Sequence, residues 1–565
     1  MLKKICVLFM LVLSVSMVEA TSYYVSSSSG LNTNNGLSES TPIKTIAKLN
    51  TIALNPGDNV YFKSGDYWRE PTDAYLIFRS GNESGYITYT SYGTGSKPLF
   101  LGSIKLNKTT DWRNLGGYWS YRNMYPTEIS NVVLNNTAFA VKKLTIPDMK
   151  YGVVGNYYYE HTNIYSRYLY LKSPSNPSTY FGDIELVFAK SIFLVGGNNY
   201  TIIDNLALKN GGYLGVDMGL WKGNGGNNII VRNCDVSNIG GGLSNTPPVR
   251  WGNAIQSWDG GSNILIENNR IWEIWDAALT TQSNEGTFTK SNVTFKNNIV
   301  WNSVYCFEYF NGKNTITYNI TFDHNTCVNN GNNLWYRNGN QRKGYGAGPD
   351  CFRFGENKNA NITKTNNINL TNNICFNSTK FMLTVDPQWG GIPDDRKHIN
   401  MDYNLYYQEP TLLFDWLRQN YTTLENFSSF TGKDIHSKSS DPLFVDVENN
   451  DFRLYNNSIA CTMGSDGGYV GALSCDHYNA SNIPYNYQEV NYSQIEGYTD
   501  REMRIFQLGY SIGKGTCCVG DCMDAITLPL VINVSQLPFK QYNTISDLPL
   551  INDCYDKTHC YWKWN

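Results

Sequence analysis

The chain has 565 residues, enough to bury a large core, and its 45 basic and 48 acidic residues nearly cancel. That balance excludes the broad basic footprint expected of a nucleic-acid-binding protein. Only 16% of residues are charged, while Asn, Gly, Ser, Thr and Tyr are frequent, so the surface is polar through amides and hydroxyls and suits glycans.

Residues 1–20 read as a secretory signal: Lys3 and Lys4 open it, Ile5 to Val18 are mostly apolar, and Val18-Glu-Ala20 offers a small-residue cleavage site. The apolar run is too short for a spanning helix, and no other run is long enough. The expectation is an exported, secreted protein with no membrane helix after cleavage. Twelve Cys remain once Cys6 is gone, an even number that permits disulfides in an oxidising compartment. Cys461 and Cys475 flank a Gly-rich turn as a candidate pair. Cys517, Cys518 and Cys522 lack a second cluster of zinc-like spacing, so disulfides are favoured over metal there.

Residues 21–104 form an N-terminal cap and the first coils. Thr21 to Val25 reads as a short strand, and Thr41-Pro42 as the start of a helix with Ile43, Ile46, Ala47, Leu49 and Ile52 on its apolar face. Such a helix would cover the open end of a β-stack. Residues 105–190 show alternating runs such as Tyr168-Leu-Tyr-Leu171 and Ile184-Glu-Leu-Val-Phe188, and read as an inserted antiparallel β segment.

Residues 191–475 hold a repeat. Thr201-Ile-Ile203-Asp-Asn205, Ile229-Ile-Val231-Arg-Asn233, Ile264-Leu-Ile266-Glu-Asn268, Val293-Thr-Phe295-Lys-Asn297, Ile320-Thr-Phe322-Asp-His324 and Ile368-Asn-Leu370-Thr-Asn372 align as six lines, their ends separated by 28, 35, 29, 27 and 48 positions. Period-2 alternation within a line predicts a strand, and the recurrence predicts one coil per line. Asn205, Asn233, Asn268, Asn297 and Asn372, with His324 standing in once as a turn residue, are expected to form a ladder of stacked Asn. The sequons at Asn292, Asn319 and Asn369 fall within this pattern. The lines resemble the right-handed parallel β-helix of the pectate-lyase-like superfamily over about residues 30–475. That resemblance implies an all-β solenoid whose members include secreted carbohydrate-active proteins.

A second strand follows each line. Its middle residues Val216, Ile255, Leu279, Phe307, Phe352 and Leu383 are expected inward, which turns Asp217, Gln256, Thr280, Glu308, Arg353 and Thr384 outward as one column. Gly219, Trp258, Gln282, Phe310 and Gly355 form a second outward column. Long insertions at 238–252 and 330–349 rise beside these coils as two walls of a groove. Asp441-Pro-Leu-Phe444 and Asp451-Phe-Arg-Leu454 read as closing strands, and residues 476–565 as a Cys-containing tail.

Glu308 is the leading catalytic candidate, because an adjacent Arg353 favours an ionised carboxylate suited to a base or nucleophile. Asp276, beside Trp272 and Trp275, is the candidate acid, since an apolar setting raises a carboxyl pKa and a glycosidase needs one carboxyl of each kind. Gln256, Thr280, Gln282, Asp217, Trp251, Arg250 and Trp258 are candidate substrate contacts, with Tyr309 as a further stacking surface if it points outward. Phe307-Glu-Tyr-Phe-Asn-Gly312 is similar to the Glu segment of β-helix glycosidases that include a β-xylosidase family. Where their Asp is expected this chain has Thr280, so Asp276 takes that part. No cofactor is required by a hydrolase. A polysaccharide lyase acting on a uronate polymer would instead use Arg353, Arg250 and Lys343 against the uronate carboxylate, with calcium at Asp217 or Asp259. A glycan-binding adhesin would use the aromatic groove and not need Glu308.

Overall fold

The computed structural model describes residues 20–475, apart from 70–75, 123–127, 136–137, 144, 164–165, 220–224, 246–247, 285, 313, 333–348, 357–363, 387–397 and 410–412, together with 554–556 and 559–560 of the tail. The expected leader, Lys343 and Cys517, Cys518 and Cys522 fall outside those residues.

The lines form strands, and the strands stack in register. Thr201–Asp204, Ile229–Arg232, Gly261–Glu267, Thr289–Lys296, Ile316–Asp323, Lys364–Thr371 and Ile399–Asp402 belong to a ten-stranded sheet whose pairings are parallel. A second sheet carries the remaining strands of each coil. The chain is a right-handed parallel β-helix. Alternation inside each strand buries one row of side chains per coil, and Ile203, Val231, Ile266, Phe295, Phe322 and Leu370 are fully enclosed. Each contributes roughly 1.5–3 kcal/mol by leaving water.

The corners between the two sheets are where Asn matters, in two distinct ways. The line-end residues Asn205, Asn233, Asn268, Asn297, His324 and Asn372 have φ between 52° and 57°. Asn reaches this left-handed region more readily than other side chains. They do not form the expected ladder: Asn205 Nδ2 donates to Ser91 Oγ and Asn233 Nδ2 to Asp204 Oδ1. The ladder lies one residue further on. Asn269, Asn298, Asn325, Asn373 and Asn404 are completely buried, and each Nδ2 donates to the next Oδ1 at 2.9–3.1 Å. Each Oδ1 also accepts a backbone N–H from the coil before it. A second, exposed ladder joins Asn228, Asn263, Asn292, Asn319 and Asn367 along another corner.

The ends are closed differently from expectation. The N-terminal helix is a single turn, Ile46–Leu49, capped by Thr45 Oγ1 accepting from Lys48 N at 3.2 Å. Ile43 is not in it, because that residue bridges to Val25 as extended backbone. At the other end the helix Leu424–Thr431 lays Phe427 on Phe414, ring centroids 4.7 Å apart. Phe444–Asp446 and Asp451–Leu454 pair antiparallel with each other and pack on the outside of the coils through Phe444 and Phe452. Disulfides join Cys306 to Cys327, Cys351 to Cys375 and Cys461 to Cys475. No helix among the described residues is long and apolar enough to cross a membrane.

The insertion is β as expected. Ser103–Lys105, Ile129–Leu134, Ala138–Phe139 and Ile184–Phe188 form one antiparallel sheet. A second sheet holds Arg113–Asn114, Trp119–Arg122, Val141–Lys142, Asn156–Asn163 and Ser166–Leu171. The two share an apolar interior that includes Val132, Leu134, Tyr157, Leu169 and Leu186.

Candidate functional site

The strands Ile255–Trp258, Arg270–Gln282, Ile299–Asn311, Asp350–Glu356 and Phe381–Val385 set the site. Their inward residues Ile255, Leu279, Phe307, Phe352 and Leu383 are fully buried in the coil core. Parallel register then aligns Asp217, Gln256, Thr280, Glu308, Arg353 and Thr384 as one column. Trp258, Gln282, Phe310 and Gly355 align beside it.

Glu308 sits half-exposed in the middle. Gln282 Nε2 donates to Glu308 Oε2 and to Thr280 Oγ1, both at 2.7 Å, and Thr280 Oγ1 donates to the Glu308 carbonyl at 2.7 Å. A neutral amide thus fixes the carboxylate from one side. On the other side Arg353 donates to Asp350 Oδ2 and to Asp386 Oδ2, both at 3.3 Å, with its guanidinium 5.9 Å from the Tyr305 ring. Burial works to lower the Arg353 pKa, but Tyr305, Asp350, Glu308 and Asp386 outweigh it and hold the guanidinium charged.

Asp350 and Asp386 were not among the sequence candidates. Asp350 is wholly enclosed, and its Oδ1 has no hydrogen-bond partner. Complete burial pushes its carboxyl up to about 7, against the opposing pull of Arg353. Strict alternation from Arg353 would turn Asp350 inward. It escapes because Cys351 and Phe352 are consecutive core residues, which breaks the alternation. Asp386 follows the next strand and is partly exposed.

The other candidates are distributed unevenly. Gln256 is enclosed, donating to Asp217 Oδ1 at 3.1 Å and accepting from Asn253 Nδ2 at 2.9 Å. Asp217 Oδ1 also accepts from Gly219 N. Trp258 is half-exposed beside Gln282. Asp276 lies within the irregularity between Ile274 and Ala277 and is only 4% exposed. The two tryptophans expected around it diverge: Trp272 stacks on Trp301 at 4.8 Å, whereas Trp275 packs with Val133 and Val187. Arg250 is buried in structural work, with Nε donating to Gly241 O and an Nη to Ser130 O, both at 2.9 Å, and its guanidinium 4.3 Å from the Trp275 ring. Trp251, in the same hairpin, stacks on Tyr213 at 5.3 Å. The 238–252 wall is therefore tied to the insertion sheet, and most of the 330–349 wall lies outside the described residues. Tyr309 points inward, its hydroxyl 2.6 Å from Thr365 Oγ1.

Asp259 is engaged by Asn284, whose N donates to Oδ1 at 2.6 Å and whose Nδ2 donates to Oδ2 at 3.0 Å. Asp217 and Asp259 do not belong to a metal-ligand cluster among the described residues. The single such grouping is Cys327, Cys351 and Cys375, all of them in disulfides.

The fold class is matched by a family model described as a right handed beta helix region, over residues 180–345. A lacto-N-biosidase of Bifidobacterium longum subsp. longum is 43% identical over 77 residues, which is 13% of this chain and 5% of that protein. Among solved structures, the complex of XylC with xylose is 10% identical, with coverage of 77% of this chain and 90% of that one and a TM-score of 0.39. The GH136 lacto-N-biosidase from Eubacterium ramulus is 14% identical over 69% and 64% of the two chains, with a TM-score of 0.31. Pectate lyase Pel9A is 13% identical over 81% and 97%, with a TM-score of 0.37.

Proposed function

We propose that this chain is an exported, glycan-acting enzyme, and specifically a glycoside hydrolase that works through Glu308. The observation that carries the reading is the setting of Glu308. It is a half-exposed carboxylate at the centre of a register-locked column, fixed by Gln282 at 2.7 Å, with Trp258 and Phe310 in the adjacent outward column. Aromatic faces beside a fixed carboxylate suit a sugar ring held over a reacting acetal. The short stretch shared with a lacto-N-biosidase supports a glycan as the substrate class. The three disulfides and the apolar leader support export.

Hydrolysis needs a second carboxyl group. Asp386 fits better than Asp276, because it is partly exposed and shares Arg353 with Glu308, whereas Asp276 is enclosed within the strand irregularity. One carboxyl gives its proton to the leaving glycosidic oxygen as the C–O bond breaks. The other takes a proton from the incoming water, or attacks the sugar first. Arg353 holds the acidic cluster together and keeps at least one member ionised.

Glu308→Gln is expected to abolish hydrolysis of the polysaccharide substrate with binding retained. Unchanged turnover would remove Glu308 from the mechanism. Asp386→Asn should lower kcat and Asp276→Asn should not; the reverse order would restore Asp276 as the partner. A lyase reading is favoured by one observation, the Arg353 charge beside a carboxylate base, which also suits a uronate. New absorbance near about 235 nm on uronate polymers, in place of reducing ends without unsaturation, would establish it. Glycan binding with no product would favour an adhesin.

A further inference from the structure

The insertion presents a surface that the Glu308 reading leaves unused. In its second sheet, Tyr157, Tyr159, Leu169 and Leu171 point into the shared apolar interior. Alternation therefore turns Tyr158, Tyr168 and Tyr170 to the opposite face. Register sets Tyr158 opposite Tyr170, and Tyr170 opposite the small Ser120. Tyr170 is the hub: its ring lies 6.0 Å from Tyr158, 6.2 Å from Tyr168 and 6.3 Å from Tyr118. All four rings are half-exposed. A water-facing sheet surface does not ordinarily gather four tyrosines, since clustered aromatic surface of this kind marks recognition.

Around the rings cations outnumber acids. Arg122 stands in the row of Tyr168, and Arg113 is opposite Ser120. Lys150 Nζ lies 5.9 Å from the Tyr118 ring and 5.6 Å from that of Tyr151. Lys172 Nζ reaches the Gly117 turn beside Tyr118. None of these four cations has an acidic partner among the described residues. Glu160, the acid in this row, already accepts the Tyr170 hydroxyl at 3.0 Å. Four cations against one engaged carboxylate make a basic aromatic face on a chain whose net charge is −3.

We propose that this face is a second glycan-binding site that takes a chain of uronate sugars, with the tyrosine rings under the sugar faces and Arg122, Lys150 and Lys172 on the carboxylates. Aromatic rings supply area at low entropy cost, and unpaired cations supply the selection for an anionic chain. The face is separate from the Glu308 column, so it operates whichever reaction that column performs. Its role is to hold an acidic polymer while the coils act on the same or a neighbouring chain.

The test is affinity electrophoresis of the full chain in gels cast with polygalacturonate, with hydroxyethylcellulose as the neutral comparator. The intact protein should be retarded by polygalacturonate alone, with retardation weakening as salt rises. Tyr158→Ala with Tyr170→Ala should weaken binding at least about tenfold. Arg122→Gln with Lys150→Gln and Lys172→Gln, which leaves the rings in place, should do the same. Circular dichroism melting confirms that both variants fold. Glu308→Gln should be retarded like the intact protein, which separates this site from the proposed hydrolase site. The proposal is overturned by undiminished retardation of either variant, by equal retardation in the neutral gel, or by no retardation in polygalacturonate. It is also overturned if the face binds only a single-stranded oligonucleotide, or if light scattering shows a dimer that the tyrosine variant dissolves.

Discussion

The buried amide ladder offers a quantitative test of what holds the coils together. Asn298 makes four side-chain hydrogen bonds: Oδ1 accepts from Asn269 N at 3.0 Å and Asn269 Nδ2 at 2.9 Å, and Nδ2 donates to Ile266 O and to Asn325 Oδ1, both at 2.9 Å. In Asn298→Ala the Asn269 backbone N–H loses its acceptor in a site that water does not reach, at a cost of about 1–3 kcal/mol. Asn269 Nδ2 keeps Val231 O and Asn325 Oδ1 keeps the Asn298 backbone N–H, so the other three bonds cost only their net worth, about 0.5–1.5 kcal/mol each. The expected loss is about 2.5–7.5 kcal/mol. Asn292→Ala removes two bonds of the exposed ladder, Asn292 Nδ2 to Asn263 Oδ1 and Asn319 Nδ2 to Asn292 Oδ1, both at 3.0 Å, and puts Ala at a φ of 55°. Water replaces both partners, so the cost there is mainly that of a left-handed Ala, about 1–2 kcal/mol. Guanidinium unfolding followed by tryptophan fluorescence, with hydrogen exchange over residues 264–275, measures both. If Asn298→Ala proves as mild as Asn292→Ala, the buried amides are filler and the coils are held by their aliphatic rows alone.

Asp350 should make stability depend on pH. Its folded carboxyl lies near 7 and its usual value is 3.8, so the folded chain keeps a proton that the unfolded chain releases, and its contribution to stability falls as pH rises from about 4 to 7. Asp350→Asn should therefore gain on the native chain in melts taken from pH 5 to pH 8, by roughly 2.5 kcal/mol; a constant difference across that range would refute the assignment. Gln282→Ala should lower kcat about 10- to 100-fold with little change in KM, because the amide steadies Glu308 and does not grip substrate; a pure KM effect would make Gln282 a substrate contact. Replacing Cys306 and Cys327 by Ser opens a loop of 21 residues and should cost about 3 kcal/mol, read as a denaturation midpoint below that of the native chain under non-reducing conditions.

The register of the two columns was legible because a parallel stack repeats one physical decision per coil, but their exposure was not: Asp217, Gln256, Thr280, Gln282 and Thr384 are out of the coil core yet buried under neighbouring chain. Legibility also failed where alternation failed. Cys351 and Phe352 both enter the core, so Asp350 leaves the coil core against its parity while staying wholly enclosed. The irregularity after Ile274 moves Asp276 out of the pattern that placed it near Glu308. The ladder was displaced by one residue because Asn is favoured both by a left-handed corner and by an amide stack, and composition does not distinguish Asn297 from Asn298. The capping helix was overdrawn because Ile43 is apolar for a different reason, as an extended residue bridging to Val25. Arg250 was assigned to substrate from its place in a long insertion. Its fate as the buried tie to Ser130 and Asn131 depends on contacts some 120 positions away, which local pattern does not carry.

The column Gln256, Thr280, Glu308, Arg353 and Thr384 takes one residue from each successive coil, and of these Glu308 and Arg353 reach solvent. It reads the sequence crosswise, each neighbour in space being a stranger in the chain. The column can thus be rewritten one letter per coil, at positions whose inward neighbours go on packing unchanged. Lengthening a corner loop raises the rim without shifting any letter in the row. The chemistry of the column and the fold are in this way encoded on neighbouring residues of the same strands.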